Sequence, residues 1–569
     1  MRGQRGNAGL RILWLMTVLV ALAAGSAHAA SGSARGPITP GEEGAARAAM
    51  AGISLPAQAP ARTVGEGPFE TLRITNVMLV DGLGSPPRGP VTITINGDRI
   101  ARIESFRQLP VAAEGERVLD GTGMTVLPGF VDAHTHIGNP LQGLAGPVTP
   151  PEYVFKLWLA HGITTVRDVG SIMGLGWTVD QARRSAKGAI AAPRIVPYAM
   201  FPGTLAVTAR AARDWVRAVA RRGALGIKFR GGTREALAAA YATAAELKLG
   251  TASHHDQNGV YDLNALDSAR LGLDSVEHWY GLPEALFTER TIQNYPADYN
   301  YADEQWRFAQ AGRLWRQAAA PGSPRWEAAL DEMRELDLTL VPTFTIYEAN
   351  RDVARARDAE WHALYTLPAL QRFFMPDARF HGSYHFDWST ADEVAWRRNF
   401  DRWMQFVNDF KNRGGRVVTG SDAGFIFKLY GFAFVRELEL LQEAGFHPLE
   451  VLQAATRNGA ELLGMADQIG SVVPGRKADL VLVPGNPIAN FKRLYGTGHM
   501  QLDRQTGRVS RVGGVRYTIR DGLIYDAPEL LAQVAAMVSA AKAKEAGTAQ
   551  ALRATPTKAV RASPAKAGP

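Results

Sequence analysis

Between Thr125 and Asp422 short apolar runs alternate with helix-like stretches, and no other feature constrains the fold as tightly. The runs are Val126 to Ile137, Thr164 to Val169, Arg194 to Pro197, Ala224 to Arg230, Thr251 to His254, Ser275 to His278, Thr339 to Thr345 and Arg416 to Asp422. Strand-then-helix units repeated this way predict an α/β chain folded as a (β/α)8 TIM-type barrel. The rival is a doubly wound open sheet, which carries a glycine-rich phosphate turn after its first strand. Asp132-Ala133-His134-Thr135-His136 contains no glycine.

The barrel is flanked by a different pattern. Leu72 to Val80, Val91 to Ile95 and Arg99 to Ile103 read as strands, and Asn96-Gly97-Asp98 supplies the positive φ of a tight hairpin. Ala478 to Val483 and Val515 to Ile519 return to β after the barrel. Together they predict one small β-sandwich made from residues 68–124 and 467–526, around a barrel at 125–466 with insertions near 279–338 and 346–415. Residues 30–67, rich in Ala, Gly and Pro, read as a linker, and 527–569 as a helix passing into a disordered basic tail from about Thr548.

At the amino end Arg2, Arg5 and Arg11 precede an apolar run from Ile12 to Ala24, followed by Ala27-His28-Ala29. That order predicts a secretory signal peptide over 1–29, cleaved after Ala29, and a periplasmic or secreted product. As a helix the run spans about 20 Å, short of the roughly 30 Å hydrocarbon layer, so no stable membrane anchor is expected. The chain has no cysteine, which excludes disulfides, thiolate nucleophiles and thiolate-held metals. The net charge of +8 sits in the signal segment and the tail, leaving residues 30–529 neutral. No nucleic-acid partner is expected of such a body. The expected partner is a small-molecule substrate, and a homo-oligomer is compatible with the composition.

Polar residues gather at the carboxyl ends of the predicted strands, where barrel enzymes place their sites. His134 and His136 are two apart and share a strand face. His254, His278 and Asp422 end later strands, and Lys228 lies between Ile227 and Phe229. A charged lysine is costly to bury in an apolar strand. Either a buried ion pair holds it, or its side chain snorkels to solvent, or carbon dioxide converts its amine to a carbamate, an anionic oxygen ligand able to bridge two metals. If His254 points inward, Ser253 and His255 point away. Arg230 shares the face of Lys228 and is a candidate for a substrate carboxylate, and Tyr280, two beyond His278, for a substrate hydrogen bond. Eight of the twelve tryptophans fall in the insertions, where they either line the substrate or pack the insertions' own helices.

Val126-Leu127-Pro128-Gly129-Phe130-Val131-Asp132-Ala133-His134-Thr135-His136 resembles the entry motif of the amidohydrolase superfamily. Gly162 to Asp168, Asp274-Ser275-Val276-Glu277-His278 and Pro474-Gly475-Arg476-Lys477-Ala478-Asp479-Leu480 resemble later motifs of it, over roughly residues 70 to 525. The branch most similar is imidazolonepropionase-like and prolidase-like, with a carboxylated lysine. The resemblance implies that His134, His136, carboxylated Lys228 and Asp422 hold one metal ion, and Lys228, His254 and His278 a second. It implies two divalent ions, zinc before manganese, a metal-activated hydroxide, and Asp422 as the catalytic proton carrier. The chain departs from its relatives at His254-His255-Asp256-Gln257, where many have His-Ala-His-Gly, and in lacking a Gly-Gly-His loop near the third strand. The function expected is hydrolysis of a C–N amide bond in a dipeptide or N-acyl amino acid. The alternatives are a cyclic amidase, a deaminase, a phosphotriesterase-like hydrolase, or a barrel that binds a ligand without turnover.

Overall fold

The computed structural model describes residues 39–109, 112–377, 379–382 and 385–554. The expected signal peptide and the last residues of the basic tail lie outside them. Among the described residues no helix is long and apolar enough to cross a membrane.

Five strands come first: β1 (Thr71–Leu79), β2 (Arg88–Asn96), β3 (Arg99–Ser105), β4 (Glu116–Asp120) and β5 (Met124–Pro128). The β2–β3 hairpin turns at Asn96-Gly97-Asp98, with Gly97 at φ 58°. The single strand expected from Val126 to Ile137 is two. Residues 125–128, assigned from the sequence to the barrel, lie in β5, and β6 (Phe130–Thr135) opens the barrel. The chain breaks at Gly129, where a Cβ would stand 2.2 Å from Thr164 Oγ1. Apolar strands that follow one another directly carry no polar punctuation, so their sequence reads as one run.

The barrel strands β6, β7 (Ile163–Gly170), β8 (Arg194–Met200), β9 (Gly226–Phe229), β10 (Gly250–Ser253), β11 (Ser275–Glu277), β12 (Thr339–Val341) and β13 (Arg416–Val417) neighbour one another in chain order. Their pairings are parallel. The segment after β13 closes the ring on β6: Ala133 N donates to Thr419 O at 3.0 Å and Asp422 N to His134 O at 2.8 Å. The result is a (β/α)8 barrel. Its helices follow from sequence in a simple way. Thr208 Oγ1 accepts from Ala211 N at the start of Ala209–Arg221, and Ala212, Trp215, Val216 and Val219 form its buried stripe. The strand expected to continue to Thr345 stops at Val341, because Thr343 adopts φ 53° and Phe344 starts a helix, Phe344–Arg357.

Beyond the barrel come β14 (Leu480–Pro484), a separate hairpin of β15 (His499–Leu502) and β16 (Val509–Val512), then β17 (Tyr517–Arg520) and β18 (Leu523–Asp526). As expected, both ends of the body build one β unit, ordered β18-β17-β14-β5-β1-β2-β3 with β4 beside β1. Leu72, Ile74, Ile93, Ile95, Leu480, Leu482 and Ile519 fill a core of its own. Arg194, at the start of β8, fastens the unit to the barrel by reaching Asp479 and Asp521, each at 2.5 Å.

Two expectations are corrected at the ends. The lead-in is attached rather than loose: it contains the helix Glu43–Met50, Trp215 Nε1 donates to Glu43 Oε1 at 3.0 Å, and Gly176 N donates to Glu42 Oε1 at 2.8 Å. The carboxyl-terminal helix runs past Thr548 to Ala554, with Leu530, Val534 and Val538 buried and Lys542 Nζ donating to Ala363 O at 2.7 Å. The insertions are helical too. Trp279, Trp315, Trp326, Trp396 and Trp403 are fully buried among their helices, so these five pack rather than line a substrate path. Trp306, Trp361 and Trp388 are half-buried.

Candidate metal centre

The site sits at the carboxyl ends of the strands. His134 belongs to β6 and His136 follows it, Lys228 belongs to β9, His254 follows β10, His278 follows β11, and Asp422 lies in the closing segment. His136 Nε2 is 3.3 Å from Asp422 Oδ1, His134 Nε2 is 3.8 Å from the same oxygen, and His278 Nε2 is 3.8 Å from Asp422 Oδ2. One ligand atom from each of His134, His136 and Asp422 lies within 4.8 Å of the others. The His278 ring continues the cluster, with centroids 4.7 Å from His134 and 4.7 Å from His254. Residues from four places in the chain therefore meet in one cluster.

Backbone geometry aims them. His278, Thr343 and Asp422 all have left-handed φ, 64°, 53° and 47°, an unfavourable conformation for these side chains that the surroundings must impose. For Asp422 the fastening is Asp132, whose carboxylate accepts Ser421 N at 2.9 Å and Ser421 Oγ at 2.6 Å. Burial pushes the Asp132 carboxyl up to about 7 against the pull of those bonds.

Two of the imidazoles, those of His278 and His134, are oriented by the far nitrogen. His278 Nδ1 lies 2.5 Å from Thr343 Oγ1. His134 Nδ1 lies 2.6 Å from Glu277 Oε2. A carboxylate there accepts the Nδ1 proton and leaves Nε2, on the Asp422 side, free to ligate. Burial lowers the pKa of His134 and His254, and brings His278 down to about 4. These rings are thus neutral at neutral pH, the form that binds metal. Strand alternation holds at β10. His255 Nε2 is 2.9 Å from Ser268 Oγ on the helix Ala265–Arg270, while the His254 ring lies against His278.

Lys228 is buried and its Nζ has no hydrogen-bond partner. Burial pushes its amine down to about 7. The expected alternative, a buried ion pair, is absent: among the described residues no carboxylate comes within salt-bridge distance, although Glu277 and Asp422 both act on the amine electrostatically. Of the two candidate substrate contacts, Arg230 is exposed and Tyr280 is buried, with its ring 5.7 Å from His254 and 6.1 Å from Tyr347.

Glu277 and Arg167 are buried charges behind the cluster that the sequence did not single out. Glu277 Oε1 accepts Arg167 Nη2 at 2.7 Å and Ser275 Oγ at 2.7 Å, and Arg167 Nε donates to Ala133 O at 2.5 Å. The signal that marked Lys228, a charge in an apolar strand, was present at both. Their pairing across the barrel joins residues 110 apart and is invisible along the chain.

The donor set is nitrogen and oxygen only. It includes Lys228 Nζ, a buried atom without a partner. Neutral imidazoles beside a carboxylate suit zinc or a similar divalent cation, so the residues fit the metal that the fold implies.

The amidohydrolase family profile matches residues 403–522, the stretch that carries Asp422 and the returning strands. Residues 403–522 are thus similar to the amidohydrolase family. An adenine deaminase of Bacillus velezensis is 34% identical over 102 residues, covering 16% of this chain and 16% of that protein. The aligned stretches thus span a small part of such curated relatives. Among solved structures, a Xaa-Pro dipeptidase with methionine bound in its active site superposes with a TM-score of 0.53 at 20% identity, covering 80% of this chain and all of the other. Bottromycin amidohydrolase superposes with a TM-score of 0.55 at 20% identity, covering 83% of this chain and 91% of the other. Structural likeness at this identity shows the barrel fold alone.

Proposed function

We propose that the protein is a metal-dependent hydrolase of a C–N amide bond in a dipeptide or N-acyl amino acid, with two divalent ions held at a carboxylated Lys228. The observation that carries this is the buried, unpartnered Lys228 amine beside His134, His254, His278 and Asp422. An amine there gains by reaction: its lone pair forms an N–C bond to carbon dioxide, one N–H proton leaves to solvent, and the product is an anionic carbamate. His134, His136, Lys228 and Asp422 would hold one cation, and Lys228, His254 and His278 the other. When bound, divalent cations polarise the scissile carbonyl and acidify the attacking water. Asp422 accepts a proton from that water and returns it to the departing amine. Glu277 and Thr343 keep the imidazoles of His134 and His278 in register. The amidohydrolase-like stretch and the dipeptidase among its fold neighbours support a hydrolase of this class.

The test is hydrolysis of a panel of dipeptides and N-acyl amino acids by zinc- or manganese-loaded protein, with chelation and re-addition as control. Turnover lost to chelator and restored by metal is expected. Deamination of a nucleobase, opening of a cyclic amide or cleavage of a phosphotriester, with no amide cleaved, would redirect the assignment to those chemistries. Metal binding without turnover of any of them would leave a binding barrel. We also infer export to the periplasm or beyond: the mature amino terminus should be Ala30, and an unprocessed cytoplasmic chain would contradict this.

A further inference from the structure

Arg230 follows β9 directly, two residues after Lys228. The side chains between and before them, Ile227 and Phe229, are buried in the core outside the barrel, so Lys228 and Arg230 share the parity that faces the site. Arg230 is exposed where its neighbours are buried, and Gly231 and Gly232 follow at φ 156° and 157°. The turn abuts the segment after β10: a Cβ at Gly231 would lie 3.7 Å from the Cβ of Asp256. Asp256 Oδ1 accepts Tyr301 Oη at 2.9 Å and Asn258 N at 2.9 Å, and Asp256 makes no ion pair with Arg230. Among the described residues Arg230 itself makes no hydrogen bond and no ion pair. Its charge is felt by Lys228, His254 and Tyr301.

An unpaired guanidinium beside a cluster that collects cations is unfavourable on its own, because like charges at short range repel. It becomes favourable when an anion arrives that both can share. A planar guanidinium matches a carboxylate through two parallel N–H···O bonds. We propose that Arg230 is a specificity-determining residue that recognises a carboxylate on the substrate, so that the enzyme selects amides bearing a free carboxylate over their neutral counterparts. This rests on the amide-hydrolase assignment above and narrows its substrate class.

The experiment compares the metal-loaded protein with Arg230→Ala and Arg230→Lys on matched substrates: N-acetyl amino acids and dipeptides against the same compounds with the carboxyl group as a carboxamide. The expected result is that Arg230→Ala raises KM for the free acids about tenfold to a hundredfold, the range of a charged hydrogen-bonded pair, with little change for the carboxamides. Arg230→Lys should restore part of the preference. Equal losses on both series, or an unchanged preference for acids, would overturn the assignment. Binding of N-acetyl-L-phenylalanine by calorimetry reads Arg230 without turnover. About tenfold weaker binding by Arg230→Ala supports the anion subsite even if no amide is cleaved, in which case only the amide-hydrolase assignment falls. Equal affinity of the two proteins, or no binding at millimolar concentration, overturns the subsite.

Discussion

The two sides of the barrel mouth are built differently. On the His134 side a chain of bonds holds the ring: Nδ1 to Glu277, Glu277 to Arg167 and Ser275, and Arg167 to the backbone of β6. On the Lys228 side the amine has no partner, and Arg230 beyond it has none among the described residues. Charges buried by folding alone are normally compensated within the protein. The bonded chain around Glu277 obeys that rule by itself, and on the reading proposed above the second side is completed by ligands from outside. On that reading the fixed half orients donors in advance, and the open half is where chemistry and selection enter.

The contrast can be broken by mutation. Lys228→Ala should have the largest effect, lowering metal content and activity by more than the ten- to hundredfold that loss of a supporting group costs. Short carboxylic acids should restore part of both by standing in for the carbamate. A fully metallated, fully active variant would remove Lys228 from the site. Glu277→Gln should weaken metal binding about tenfold to a hundredfold, read by titration against a chelator. Carboxylic acids should not rescue it, because the defect is orientation rather than a missing ligand. Glu277→Ala should in addition destabilise the fold by about 3–5 kcal/mol, since it leaves the Arg167 charge buried alone. Asp132→Ala, which frees the Ser421 groups that aim Asp422, should cost about 1–3 kcal/mol and lower kcat more than it raises KM. Trp326→Phe should have the smallest effect on the site. Its indole is fully buried and donates to Asp409 at 3.1 Å in the insertion, so melting temperature should fall while kinetic constants hold.

Much of the fixed architecture was legible in the sequence because periodicity and turn chemistry are local. The strand parity of His134 and His136, the hairpin at Asn96-Gly97-Asp98 and the return of β14 to the amino-terminal strands all carry signals within a few residues. The same parity separates His254 from His255. What escaped was non-local or depended on partners. Residues 125–128 read as barrel because β5 and β6 join without polar punctuation. Residues 39–67 read as linker because their anchors, Trp215 and the Gly176 amide, lie far along the chain. The insertion tryptophans left packing and substrate contact undecided, since composition does not say which helix a ring will meet. Glu277 and Arg167 were visible as charges in strands, but their mutual salt bridge required the barrel to close.

The central claim is that the open side is completed by two cations sharing Lys228. Elemental analysis of the purified mature protein, loaded with zinc or manganese in the presence of bicarbonate, tests it most directly. About two ions per chain are predicted, falling sharply in Lys228→Ala. One ion per chain, unchanged by that substitution, would contradict the shared lysine, and a chain that takes up none would contradict the metal centre itself.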